Sequence, residues 1–234
     1  MNLKILSLVI IGVCILLPDV CYAFFSKDVH LLNMQNGLAD NTVSAVYKDK
    51  EGFVWFGTRN GLSRYDGRQI TNFEQSNSYP SISNLKEVFD GVLAFVDNGV
   101  FSAFDLKKER FLSVVSSSEK RIPSWGMLQK NDSLVWVISG SELHLMKRCA
   151  SKEGELRLRV QEKYTGWDNQ DNLLVAITYS SDKKSICLID EKGRIILLDA
   201  TNLNSFRVID LGRTGSLSVN SVLYDDGRIW ISTI

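Results

Sequence analysis

The chain has 234 residues and is formally neutral, with 27 basic and 27 acidic side chains. That balance provides no bulk field to draw it to nucleic acid or to an anionic membrane surface. With 44% hydrophobic residues there is enough apolar material for a packed core, and His30, His144, Cys149 and Cys187 are too scattered for a zinc site by spacing, so neither a metal nor a cofactor is expected.

Residues 1–23 read as a cleavable signal peptide. Lys4 supplies a positive charge, Ile5 to Leu17 is apolar, Pro18 and Asp19 end that run, and Cys21-Tyr22-Ala23 puts small residues where a signal peptidase cuts. The run is shorter than the roughly twenty residues that span a bilayer, so export to the periplasm is expected. Export leaves Cys149 and Cys187. An oxidising compartment permits a disulfide between them, whereas burial as a small hydrophobe is the other role open to Cys187.

Residues 24–40 form a lead segment in which Val29 to Asn33 predicts a strand with no neighbouring partner in sequence, a candidate to close the ring by pairing with a final blade. The blade-forming part then begins and runs over 41–234. Val43 to Tyr47 is β-branched and aromatic, and Asp49 to Gly52 is a polar turn. Phe53 to Thr58 is a second strand, Arg59-Asn60-Gly61 a hairpin turn, Leu62 to Tyr65 a third strand, Asp66-Gly67 another turn, and Gln69 to Phe73 a fourth strand. Four antiparallel strands in about forty residues is the size of one propeller blade.

The unit repeats. A shift of 81 residues lays Phe53-Val54-Trp55-Phe56 on Leu134-Val135-Trp136-Val137, and a shift of 132 lays Val43, Tyr47, Val54 and Trp55 on Val175, Tyr179, Ile186 and Cys187. Residues 220–233 repeat the pattern with a turn two residues shorter, and 90–101 fits as a degenerate copy. Trp55, Ala94, Trp136, Cys187 and Trp230 then share one column, spaced by 39, 42, 51 and 43 residues. The period predicts an all-β fold: a β-propeller of four-stranded antiparallel blades, four of them complete and a fifth truncated, in an incomplete ring. The column predicts Trp55, Trp136 and Trp230 in equivalent second strands, buried between blades. The open side of the fifth blade is expected to expose Val222, Tyr224, Ile229 and Ile231.

Gly37-Leu-Ala-Asp-Asn-Thr-Val43, followed by Asp49-Lys-Glu-Gly-Phe-Val-Trp-Phe-Gly-Thr-Arg-Asn-Gly-Leu-Ser-Arg-Tyr-Asp-Gly67, resembles the two-component regulator propeller repeat. The copy at 37–67 is close, that at 220–233 is recognisable, and the three between match in hydrophobic pattern. The resemblance implies the N-terminal sensor region of a periplasmic hybrid two-component histidine kinase that responds to glycan breakdown products. It implies an oligosaccharide ligand, and further blades, a membrane anchor and signalling domains as partners. The 234 residues contain no kinase nucleotide-binding motif and no second membrane-spanning run, so the chain by itself is not expected to be an enzyme.

Asp49-x-x-Gly52-x-x-Trp55 also resembles the Asp-box turn of bacterial sialidases, whose role is structural: Asp caps the turn, Gly takes the strained backbone, and Trp is buried. No nucleophile elbow, phosphate-binding loop or His-Glu-x-x-His is present. Catalytic residues are therefore expected to be none, and ligand-binding residues are not assigned. Asn41, Arg59, Trp125 and Trp167 fall towards one rim, where they either contact a sugar or pack on the next blade. The alternatives to a sensor are an exported propeller glycosidase or lyase, and a propeller used for protein–protein contact.

Overall fold

A computed structural model describes residues 30–74, 81–116, 121–167, 172–212 and 216–233. The signal segment lies outside them. The chain divides into two units, 1–32 and 33–234. In the first, the described residues 30–32 carry no strand. The second opens not on strand but on a 3-10 helix, Met34–Asn36. Its cap explains why the lead strand predicted to reach Asn33 does not form there. The Asn33 side chain accepts from Gln35 N and Asn36 N at 2.9 and 3.2 Å, and Asn36 Oδ1 accepts from Asn33 N at 2.6 Å. These local bonds offer the backbone an alternative to a ladder.

Eighteen strands follow among the described residues, in the expected order. The first blade is β1 (Val43–Lys48), β2 (Val54–Thr58), β3 (Gly61–Tyr65) and β4 (Ile70–Phe73). The second is β5 (Ile82–Phe89), β6 (Val92–Asp97), β7 (Val100–Asp105) and β8 (Arg110–Ser116). The third is β9 (Gly126–Asn131), β10 (Leu134–Ser139), β11 (Glu142–Cys149) and β12 (Glu155–Tyr164). The fourth is β13 (Leu174–Tyr179), β14 (Ser185–Asp190), β15 (Ile195–Asp199) and β16 (Phe206–Ile209), and β17 (Val219–Asp225) pairs with β18 (Arg228–Thr233) as a fifth. Within each blade the strands pair antiparallel in chain order. First strands of successive blades lie side by side, so they form the inner wall.

One pairing was not predicted. The outer strands of blades two and three pair in parallel, Glu155 with Ser113 through Leu158 with Ser116, which joins two blades into one eight-stranded sheet. Both are fourth strands and run the same way, so parallel is the only pairing open to them. It covers two edges that would otherwise present free N–H and C=O groups.

The core is a series of blade interfaces. Trp55 meets Leu85, Leu93, Phe95 and Phe104 of blade two. Ala94 meets Met127, Val135 and Val137 of blade three. Trp136 meets Ile177, Ile186 and Leu188 of blade four, and Cys187 packs with Val222, Ile229 and Ile231 of blade five. The column is thus the side of each second strand that faces the next blade. Gly57 is required by this closeness, because a Cβ there would stand 2.6 Å from Ile82 Cγ2. Cys149 and Cys187 are both free thiols. Burial pushes the Cys187 thiol up to about 12, consistent with a packing role rather than a bridge.

The fifth blade corrects two expectations. Trp230 is in the second strand, but it is 60% exposed rather than buried, because among the described residues no blade lies on its side. Val222, Tyr224, Ile229 and Ile231 pack against blade four, and the open side carries Leu223 and Trp230 instead. Ile229 and Ile231 flank Trp230 in β18 and so face the other way, whereas in β17 the cause is register. Tyr47 lies opposite Trp55, but Leu223, not Tyr224, lies opposite Trp230. The partners at the column stand eight residues apart in blade one (47 to 55) but seven apart in blade five (223 to 230), and a one-residue difference inverts every side chain of the partner strand. Blade four differs by one residue in the opposite sense: Thr178 rather than Tyr179 lies opposite Cys187, nine residues apart (178 to 187).

Candidate functional site

The turns joining first to second strands, and third to fourth, lie on one rim, here the lower one. The remaining connections lie on the upper rim.

The Asp49 turn is built as its residue types require. Asp49 Oδ1 accepts from Phe53 N at 2.9 Å and Oδ2 from Trp55 Nε1 at 2.7 Å, while Gly52 takes φ +94°. This holds Phe53 and Trp55 at the edge of a cleft of about 260 Å³ between the first two blades on the lower rim. Blade one contributes Lys50, Phe53 and Arg64, and blade two contributes Glu87, Asp90 and Lys107.

The polar groups of the cleft form a connected set across the blade boundary. Lys50 Nζ lies 3.1 Å from Glu87 Oε1 and 3.7 Å from Asp90 Oδ1, and Lys107 Nζ lies 3.1 Å from Asp90 Oδ2. Glu87 also accepts from Gly91 N at 3.1 Å. The Arg64 guanidinium pairs with Glu109 and sits 4.8 Å from the centre of the Phe53 ring and 5.6 Å from those of Trp55 and Phe73. The hydrogen bond to Glu87 raises the Lys50 ammonium pKa, and that from Lys107 lowers the Asp90 carboxyl pKa. Lys50, Asp90 and Lys107 are largely exposed, so these pairs add little stability. They present donors and acceptors beside an aromatic edge, with cations and carboxylates interspersed. That suits a small neutral polyol better than a strongly charged ligand.

Asp49 and Trp55 line this cleft, but none of the rim residues Asn41, Arg59, Trp125 and Trp167 does. Asn41 Oδ1 accepts from Met34 N at 2.8 Å and so anchors the 3-10 helix. Arg59 lies in the β2–β3 turn on the upper rim. Trp125, before β9, is half-exposed, and its carbonyl accepts from Asn84 Nδ2 at 3.0 Å. Trp167 takes the packing alternative: it is buried between blades three and four, edge-on to Phe206 at 6.0 Å. Arg64, Glu87, Asp90 and Lys107 were missed in the sequence. The one available signal was a basic residue opposite Trp55 in the repeat, and Arg64 is that residue.

A second polar group lies higher on blade three. Glu142 Oε2 lies 2.6 Å from His144 Nε2 and 3.2 Å from Lys163 Nζ, and the hydrogen bond from His144 holds the Glu142 carboxyl below its ordinary range. The adjoining cavity is about 20 Å³, room for about one water. Among the described residues no group of His, Cys, Asp and Glu is placed to hold a metal ion.

Blades of four antiparallel strands arranged around an inner wall define a β-propeller. Residues 37–60, which lead into and open the first blade, match the family described as two component regulator propeller. No curated protein matches the sequence. Among solved structures, the chain is similar to the extracellular domain of a B. thetaiotaomicron protein designated a one component system, with TM-score 0.65 and 16% identity over 88% of this chain and 30% of that one. It is similar to the extracellular domain of a protein of the same organism designated a hybrid two component system, with TM-score 0.62 and 18% identity over 87% of this chain and 29% of that one. It is also similar to virginiamycin B lyase of Staphylococcus aureus, with TM-score 0.57 and 14% identity over 81% of this chain and 62% of that one. The chain spans less than a third of the first two. At these identities the likeness is one of fold.

Proposed function

We propose that the chain is the N-terminal part of the exported sensory propeller of a two-component regulator, and that it recognises a soluble breakdown product of a complex glycan. The observation that carries this reading is the regulator repeat at 37–60. The propeller fold shared with two extracellular domains supports it, as does the signal-like segment around Lys4 and Ile5 to Leu17. In this reading the lower-rim cleft is the contact site. Sugar hydroxyls would donate to Glu87 and Asp90 and accept from Lys50 and Lys107, with Phe53 as the apolar wall. Coupling to a kinase belongs to segments beyond these blades.

The likeness to a lyase supports a second reading, because one fold hosts binding and catalysis alike. Titrating the purified chain with a panel of oligosaccharides, and analysing the recovered sugars, separates the two. Saturable binding with the sugar recovered unchanged is the expected result, weakened in Asp90→Ala and Lys107→Ala. A cleaved or eliminated product would replace the sensor reading with an enzymatic one. Binding unaffected by either substitution would move the site off the cleft.

A further inference from the structure

We propose that Arg64 and Glu109 together set which sugar the lower-rim cleft accepts. Arg64 takes two neighbouring hydroxyl oxygens of a neutral sugar unit, and Glu109 turns uronic acids away. This rests on the reading of the cleft as a glycan site. Arg64 lies opposite Trp55 in the strand pairing of blade one and lines the cleft. Its side chain is 17% exposed. The guanidinium rests among three rings, its centre 4.8 Å from that of Phe53 and 5.6 Å from those of Trp55 and Phe73. Packed in this way it is in place before a ligand arrives, so little rotamer freedom is left to lose on binding.

Of the three guanidinium nitrogens, Nη1 donates to Glu109 Oε1, whereas Nε and Nη2 have no acceptor among the described residues. Those two lie on one edge of the planar group. Their free N–H bonds run parallel and match two oxygens set side by side. A carboxylate and a vicinal diol both offer such a pair, and the surroundings separate them. Glu109 already neutralises the same guanidinium. The ion pairs of the cleft balance, with Lys50, Arg64 and Lys107 against Glu87, Asp90 and Glu109. Asp49 and Glu51 also line the cleft, so an added carboxylate meets a net negative surround. A diol meets no such repulsion, and its own hydroxyl protons find acceptors in Glu87 and Asp90. Discrimination of this kind works by penalising the wrong ligand.

Isothermal titration of the purified chain tests this. The probes are neutral oligosaccharides of glucose, mannose and galactose and, for each, its counterpart oxidised at the primary hydroxyl to a uronate. Thermal unfolding first establishes that each variant is folded. A neutral sugar that binds the parent should bind about threefold or more tighter than its uronate. Arg64→Lys keeps the charge but loses the fork, and should weaken neutral binding about tenfold. Glu109→Gln, at a half-exposed turn position, should reduce the preference for the neutral member of each pair. The proposal is overturned if the uronate binds the parent as tightly as the neutral sugar, or if Glu109→Gln leaves the preference unchanged. Binding that Asp90→Ala weakens and Arg64→Lys does not would overturn this inference and leave the glycan reading standing, whereas a parent that binds none of these sugars overturns both.

Discussion

Trp55 donates its indole N–H to Asp49 Oδ2 at 2.7 Å, so the side chain that fills the first blade interface also closes the turn that begins its own strand. Turn and interface are therefore one energetic unit. Trp136 has no aspartate below it and donates instead to Tyr179 Oη of the next blade at 3.0 Å. The same column position is tied inward in one blade and forward in another.

Trp55→Ala should lower unfolding stability by about 3–5 kcal/mol, the usual loss for a buried Trp. Trp55→Phe should cost about 1–3 kcal/mol, mainly because a buried carboxylate oxygen loses its donor. Trp230→Ala should stay within about 0.5 kcal/mol of the parent, as exposed substitutions do. Urea denaturation at low protein concentration measures all three. Equal losses at 55 and 230 would contradict the assignment of one to a covered side and the other to an open one.

On the upper rim, Arg194 Nε donates to Asp190 Oδ2 at 2.7 Å with both side chains buried. The other carboxylate oxygen takes Arg194 N and Lys192 N, at 2.9 and 3.0 Å. Arg194→Met leaves that carboxylate buried without its cation and should cost about 3–5 kcal/mol. The double variant Asp190→Asn/Arg194→Met should recover part of the loss. Chemical denaturation of the two variants checks this, and a double variant no better than the single would exclude the stranded charge as the cause.

Lys86 lies opposite Ala94 on the second blade's first strand, and burial pushes its ammonium pKa below the ordinary lysine range. The folded chain therefore holds this proton less tightly than the unfolded chain. Stability should rise as pH climbs from the lowered folded value through the ordinary lysine range, where the unfolded chain also loses the proton. Lys86→Met removes the cost of burying the charge. It should raise stability at neutral pH and remove this contribution to the alkaline limb. Thermal unfolding across pH 7 to 11 reads both effects, and a variant less stable at neutral pH would reverse the sign of the argument.

Much of the blade architecture is written locally. Strand alternation, the Asp–Gly and Asn–Gly turns, and the spacing of Trp55, Trp136 and Trp230 mark the blades, and the observed strands follow them. The candidate cleft was not legible. Arg64, Glu87 and Lys107 come from three strands or turns of two blades, and nothing in their local sequence marks them as neighbours. The seam between β8 and β12 was hidden for a similar reason: Leu156 and Leu158 alternate with charged residues as any outer strand does.

The sequence by itself determined the repeat, the four-stranded unit and the column of second-strand residues, because period-two alternation and turn chemistry act over a few residues. Only the tertiary structure decided which side of each strand is covered. A one-residue change in pairing register put Leu223 rather than Tyr224 opposite Trp230. The position of a blade in the arc then made one tryptophan of the column core and another surface. Burial depends on what lies across the interface, and that neighbour is set by the arrangement of whole blades rather than by the residues of any one of them.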